Sequence, residues 1–191
     1  MKKKLLVVSL CAIIAIMAIA GSSLAWLKDE TGTVVNTFTE GKVDIDLYET
    51  KDSNKVMANS YKMIPGNTLA KDPTVEVLAV SEACWLFVKI EKTANFDTFL
   101  TYGIADGWTA LAGAEGVYYR SVDDTDALQK FAVLANNQVT VKTDVDMGDM
   151  NGLSSANYPQ LKFTAYAVQK ANVANETTAW NIINTPVTPV P

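Results

Sequence analysis

From residue 34 onward the sequence is a succession of short β-branched and aromatic runs separated by turn residues, and this pattern most constrains the fold. Residues 43–47 alternate strictly between apolar and acidic side chains, as in a half-buried strand. Residues 85–91 are the most apolar run, and residues 161–168 form the last clear one. Eight or more such runs, without long helices between them, predict an all-β fold: an antiparallel β-sandwich with at most short helices.

The first 25 residues have the three parts of an export signal. Three lysines precede an apolar run at residues 5–20, and Ser23 and Ala25 provide small residues at positions −3 and −1 of a cleavage site. We therefore expect cleavage between Ala25 and Trp26. The apolar run has 16 residues, fewer than the roughly 20 that span a bilayer, so no permanent membrane anchor is expected.

The chain after this cleavage site begins almost directly as a strand. Residues 26–38 contain the apolar pair Trp26 and Leu27, then charged residues, then the β-branched run with Val34, Val35 and Phe38. A strand at the start of a domain can pair with its own sheet or with the sheet of a neighbour. The sequence pattern is the same in both cases, so this choice stays open.

The same region contains a set of short motifs: Ala25-Trp26-Leu27, Asp29, Asn36-Thr37-Phe38, Gly41 and Val43-Asp44-Ile45. Together they resemble the N-terminal signature of the TasA/camelysin family of secreted Gram-positive proteins, which are processed by a SipW type of signal peptidase.

This resemblance implies a jelly-roll form of the sandwich and a structural role as a fibre subunit of a biofilm matrix or cell-surface layer. It implies assembly by donor-strand exchange, in which residues 26–38 of one subunit add to the sheet of the next. Val34, Val35 and Phe38 would dock in the neighbour, and Trp26 and Leu27 would anchor the tip. The expected partners are copies of the same chain, with other matrix or cell-wall components as further candidates.

Charge limits the other partners. Without the three lysines of the signal, the chain has 13 basic and 21 acidic residues, a formal charge of −8. An acidic surface disfavours binding to nucleic acid or anionic lipid. It suits a secreted protein of the extracellular matrix or cell surface.

The sequence contains no histidine. This excludes Ser-His-Asp and Cys-His catalysis and the His-Glu-x-x-His zinc helix. We therefore predict that the protein is not an enzyme and uses no cofactor. Cys84 is the single cysteine after the signal and lies in an apolar run, which is typical of a small buried hydrophobe.

Two other functions remain as alternatives: a monomeric surface module that binds a glycan or a protein, and a camelysin-like peptidase. An aromatic set could line a glycan groove, although core packing is the favoured interpretation. Residues 144–149 carry the ligand types of a calcium loop, but Gly148 precedes Asp149, so a solvated turn is favoured. The aromatic set is Trp85, Phe87, Tyr118, Tyr119, Phe163 and Tyr166.

Local signals predict further features. Residues 49–59 and 147–158 are expected to be loops, and Asn136-Asn137 is expected to turn a hairpin. Asn175 is expected to cap a short helix, and residues 185–191 form a proline-rich tail that cannot enter a sheet interior. Asp44 and Asp46 are expected on the solvent face of their strand.

Overall fold

The computed structural model describes residues 41–124 and 126–185. The predicted signal at residues 1–25, its cleavage site at Ala25 and Trp26, and nearly all of the proline-rich tail lie outside this range. So does the candidate donor segment at residues 26–38, with Leu27, Val34, Val35 and Phe38.

The described part consists of short strands with a few short helices between them. Its strands are β1 (Ile45–Lys51), β2 (Asn54–Val56), β3 (Thr68–Ala70), β4 (Thr74–Val77), β5 (Cys84–Lys92), β6 (Leu100–Thr101), β7 (Thr109–Ala110), β8 (Val117–Val122), β9 (Gln129–Ala132), β10 (Gln138–Val141) and β11 (Leu161–Gln169). Its α-helices are α1 (Phe96–Phe99), α2 (Met147–Asn151) and α3 (Glu176–Asn184), and a single 3₁₀ turn covers Ala135–Asn137.

The strands form three sheets in which every pairing is antiparallel. The first sheet has the order β2-β1-β4-β9, the second β3-β10-β6, and the third β11-β5-β8-β7. The predicted all-β antiparallel sandwich is therefore confirmed. The jelly-roll connectivity that the family resemblance implies stays a prediction.

One apolar cluster, called here the main core, receives side chains from all three sheets. Val75 of β4, Val88 of β5 and Val141 of β10 are all fully buried within it. Each such side chain stabilises the fold by roughly 1.5–3 kcal/mol through burial. The main core is thus what holds the sheets together.

Strand β5 lies inside the third sheet, and its first half is buried on both faces, whereas Glu91 and Lys92 at its end are exposed. Leu86 contacts the main core, whereas Phe87 points to the other face of the sheet. Helix α3 covers that second face, and the ring of Trp180 lies 5.3 Å from Phe87 and 5.6 Å from Tyr166. The six aromatic residues considered for a glycan groove all pack into these two clusters, so the core interpretation is confirmed.

Helix α3 begins where the sequence predicts. The Asn175 side chain accepts a hydrogen bond from the backbone N–H of Thr178 at 2.8 Å. This bond satisfies one of the free donors at the helix start. Glu176 in the first turn interacts favourably with the positive end of the helix dipole.

The predicted loop at residues 49–59 is wrong in its first half. Strand β1 continues to Lys51 and returns as β2 through Asp52 and Ser53, whose φ angles are 50° and 66°. Two consecutive positive φ angles make the tight turn that matches strand twist. The polar composition misled the prediction because this hairpin lies at an exposed sheet edge, where polar strands are stable.

The predicted hairpin at Asn136-Asn137 is also wrong. The two residues do turn the chain, with φ angles of 55° and 53°, but the flanking strands enter different sheets. Strand β9 pairs with β4, and β10 pairs with β3 and β6. Local turn chemistry was recognised correctly, but the pairing is decided by distant strands.

Cys84 is fully buried at the start of β5, as predicted. Burial raises the pKa of its thiol to about 11. Because the thiolate is the reactive species, the native protein should react only slowly with a water-soluble thiol reagent at neutral pH.

We expect the unfolded chain to label with this reagent orders of magnitude faster than the folded chain, measured by mass spectrometry over time. The Cys84→Ala variant should fold and assemble normally, at a stability cost of about 1 kcal/mol for the lost volume. Rapid labelling of the folded protein would contradict the core position of this residue.

Candidate functional site

Two strand edges lie along the same side of the sandwich. Among the described strands, β11 is an edge of the third sheet and bonds to β5 alone. Strand β1 is an edge of the first sheet along Ile45–Tyr48, because β2 covers only its far end at Glu49–Lys51. The two strands approach each other in space.

The edge of β11 exposes a regular row of backbone groups. The Thr93 N–H donates to the Gln160 carbonyl at 3.1 Å, and the Lys170 N–H donates to the Ala83 carbonyl at 2.8 Å. In an antiparallel pair, every second residue of a strand bonds to the partner strand. These two bonds therefore show that the even-numbered residues of β11 bond to β5. The odd-numbered residues therefore point their N–H and C=O groups away from the sheet, and within the described ranges these groups have no backbone partner. They are Leu161, Phe163, Ala165 and Ala167.

The same reasoning applies to β1. The Leu78 N–H donates to the Asp44 carbonyl at 2.9 Å, so the even-numbered residues bond to β4. The backbone groups of Ile45 and Leu47 then point outward, again without a backbone partner in the part of the chain that the structure describes. Both side chains pack against the main core.

Asp46 and the preceding Asp44 lie on the other face of this strand, as predicted. The Lys42 ammonium is 2.6 Å from Asp44, and the Lys55 ammonium is 3.0 Å from Asp46. All four side chains are more than one-third exposed. They are a solvated face and not a catalytic carboxylate pair.

A groove of about 1110 Å³ lies between the two edges. Side chains from all three sheets line it, which means that the interior of the sandwich opens here. Its apolar lining includes Leu47, Leu69, Phe96, Leu100, Val139 and Leu161.

Exposed apolar residues surround the opening. Met57 is 82% exposed, Ile64 53% and Tyr158 51%, and all three line the groove. Met57 and Ile64 belong to the irregular connection between β2 and β3. Grouped apolar exposure of this kind marks a surface that binds another molecule.

The far ends of the first and third sheets are β9 and the two-residue strand β7. Strand β7 pairs with β8, and the Leu111 N–H donates to the Val117 carbonyl at 2.9 Å. The Trp108 indole N–H donates to the Ala132 carbonyl of β9 at 2.8 Å. Native sheets protect their edges in such ways, so the open edges of β1 and β11 stand out by contrast.

One polar cluster interrupts the apolar lining of the groove. The Lys71 ammonium lies 2.5 Å from Glu49, and both side chains are only 12% exposed. The Tyr61 hydroxyl donates to the other oxygen of Glu49 at 2.9 Å. Burial and this bond raise the pKa of Tyr61 to about 12, so its hydroxyl remains a donor at neutral pH.

A second polar cluster lies on the outer face of the first sheet. Glu76 of β4 is 2% exposed and accepts a hydrogen bond from the Tyr48 hydroxyl at 2.6 Å. The ammonium groups of Lys55 and Lys130 lie 2.5 and 2.9 Å from its two oxygens. Burial alone would raise the pKa of Glu76, but the bonds from these three groups lower it to about 2.

The residues considered for calcium have another role. The Asp146 carboxylate accepts bonds from the backbone N–H groups of Gly148 and Asp149 at the start of α2. The Asp149 side chain accepts from the Asp146 N–H in return. The predicted loop thus contains a short capped helix. Among residues 41–124 and 126–185, no three His, Cys, Asp or Glu side chains are grouped as metal ligands.

The sequence did not identify the groove. Its walls come from segments distant in the chain, and the predicted docking residues Val34, Val35 and Phe38 lie outside the described range. One signal was available: residues 161–167 alternate apolar and polar or small side chains, as expected for a strand with one buried face. No local sequence pattern indicated that Lys71 lies in the groove.

No protein-family model, curated protein or solved structure matches this chain. The described residues include no helix long and apolar enough to cross a membrane.

Proposed function

We propose that the protein is a secreted structural subunit that assembles head to tail into extracellular fibres by donor-strand exchange, in a biofilm matrix or cell-surface layer. The observation that carries this proposal is the groove between β1 and β11. It combines two sheet edges that have no partner strand among residues 41–124 and 126–185 with an accessible apolar interior. A strand inserted there would satisfy both features at once.

The edge of β11 suits an added strand better than the edge of β1. Four of its residues direct backbone groups outward, and their side chains face the main core. A strand beside them would continue the third sheet. Its inward side chains would then fill the groove and complete the core.

Residues 34–38 of a neighbouring copy have the composition of such a strand. The sequence Val-Val-Asn-Thr-Phe is β-branched and aromatic, which favours extended structure. Regular alternation places Val34 and Phe38 on one face and Val35 and Thr37 on the other. The first face, which also carries Asn36, has the larger apolar side chains, so we assign it to the groove. Of the three residues expected to dock, Val34 and Phe38 then enter the groove, and Val35 faces away from it.

A contact of this kind leads to filaments. The donor segment and the acceptor groove are different surfaces of one chain, so each subunit can receive one neighbour and enter another. Heterologous contacts that do not close on themselves extend indefinitely. The predicted export signal and the acidic composition support an extracellular location for the product.

Electron microscopy of the purified secreted chain tests this proposal. We expect unbranched filaments from the intact chain. A variant without residues 26–38 should remain folded and monomeric, and a synthetic peptide of residues 26–38 should shorten the filaments of the intact chain by occupying grooves.

The alternative, a monomeric surface module, predicts the opposite results. The intact chain would stay monomeric at every concentration, and deletion of residues 26–38 would unfold the domain because the strand would belong to its own sheet. Cleavage of casein that a chelator abolishes would favour the peptidase alternative.

A further inference from the structure

The Lys71 ammonium lies in the groove, and the described protein groups accept hydrogen bonds from only part of its N–H donors. Its side chain is 12% exposed, and its ammonium has three N–H donors. Within residues 41–124 and 126–185, the Glu49 carboxylate is the single hydrogen-bond acceptor found for this ammonium. The rings of Tyr61 and Phe163, each centred 5.3 Å away, add cation–π attraction but no acceptor atom.

This arrangement leaves donors of a mostly buried cation facing the groove. A buried donor without a partner costs free energy that an incoming acceptor would recover. The acceptor has to arrive with whatever fills the groove. A purely apolar occupant would instead remove the remaining solvent and leave the donors unsatisfied.

We propose that Lys71 fixes the register of the docked strand by donating to the side-chain oxygen of Asn36 from the neighbouring copy. This inference rests on the proposed function. Asn36 lies between Val34 and Phe38 on the face assigned to the groove, and it is the one polar residue among the three. Its carboxamide can accept from Lys71 and donate to Glu49.

A polar match of this kind selects one alignment. Side chains in a strand alternate with a period of two, so the nearest slip that keeps the same face moves the strand by two residues. Such a slip would place Val34 or Phe38 at Lys71 and would move Asn36 against apolar walls such as Leu47 or Leu161. Both changes are unfavourable. An entirely apolar groove would tolerate the same two-residue slip.

Peptide binding to the full chain tests the inference. A fluorescent peptide of residues 26–38 is titrated with the chain, and the dissociation constant is measured by anisotropy. The Asn36→Leu peptide should bind about 10- to 100-fold more weakly, the range expected for a hydrogen bond to a charged group. If the groove recognised only apolar area, this peptide would bind more tightly, so the sign of the change separates the two cases.

Two control peptides need no change in the protein. The Thr37→Leu peptide alters the opposite face and should change affinity by no more than about twofold. A peptide with Val34→Asn and Asn36→Val keeps the composition and face but moves the amide by two residues. It should bind about tenfold more weakly than the unmodified peptide.

The acceptor side is tested with the double variant Glu49→Gln and Lys71→Met, in which the charge pair is neutralised. In this variant the Asn36→Leu peptide should bind at least as well as the unmodified peptide. Circular dichroism checks that the variant is folded; should it unfold, the two-residue swap on the unmodified chain decides the question.

The outcomes are distinct. If the unmodified peptide binds but Asn36→Leu and the swap do not weaken binding, the role of Lys71 is wrong and strand docking stands. If the unmodified peptide does not bind at all, docking in the groove fails, and the Lys71 inference fails with it.

Discussion

The Phe38→Asp variant should fail to form filaments, whereas Thr37→Asp should assemble close to normally. In the proposed docking, Phe38 enters the apolar groove and Thr37 faces solvent. Placing an unpaired carboxylate in an apolar site costs several kcal/mol, which lowers the affinity between subunits by two orders of magnitude or more. The measurement is the critical concentration for polymerisation, by light scattering and electron microscopy.

Two further variants check the assigned face. Val34→Asp should behave like Phe38→Asp because the two residues share a face, and Val35→Asp should behave like Thr37→Asp. A larger loss for Val35→Asp than for Val34→Asp would mean that the strand docks with its other face inward. Equal, small losses for all four variants would show that residues 34–38 do not enter an apolar site.

The Lys55→Met and Lys130→Met double variant should be strongly destabilised at neutral pH. It leaves Glu76 buried, with the Tyr48 hydroxyl as its one remaining partner among the residues that the structure describes. A buried carboxylate that has lost its cations destabilises a fold by about 3–5 kcal/mol. The free energy of unfolding, measured by urea denaturation, provides the value.

The pH dependence of this variant follows from the pKa of Glu76. In the native protein that pKa is lowered to about 2, so the cluster stabilises the fold above the unfolded value of about 4.5. This contribution is lost as the pH falls from about 4.5 towards 2. Without the lysines, burial raises the pKa, and protonation of Glu76 at low pH should narrow the difference between variant and native protein.

Lys42→Met serves as the control for this pair of substitutions. Lys42 pairs with Asp44 on an exposed surface, where ion pairs contribute little. It should therefore change stability by less than about 1 kcal/mol at any pH. A double variant that is no less stable than Lys42→Met would show that Glu76 does not depend on its cations.

The sequence predicted the parts of the fold that local pattern determines. The apolar runs at residues 85–91 and 161–168 are long enough to specify strands β5 and β11, and the alternation at residues 43–47 specified the faces of β1. Asn175 specified the start of α3 because its side chain acts within one turn. In each case the residues that decide the structure are neighbours in the chain.

The missed features depend on contacts between distant segments. The polar strand β2 is stabilised by pairing with β1. The turn at Asn136-Asn137 does not close a hairpin, because β9 before it pairs with β4 and β10 after it pairs with β3 and β6. The groove is the extreme case, since its walls come from six separate strands and the connections between them. A sequence pattern can suggest a donor strand, but it cannot show where an acceptor lies.

At the far ends of the third and first sheets, β7 is two residues long and the Trp108 indole donates to β9, which has a consequence for the geometry of the proposed polymer. With docking confined to the groove, each subunit would receive one strand and give one. A bifunctional unit of this kind grows into linear threads without branch points. Their average length is then set by the ratio of donor segments to free grooves, so a small amount of a donor-deficient variant should terminate threads at one end only.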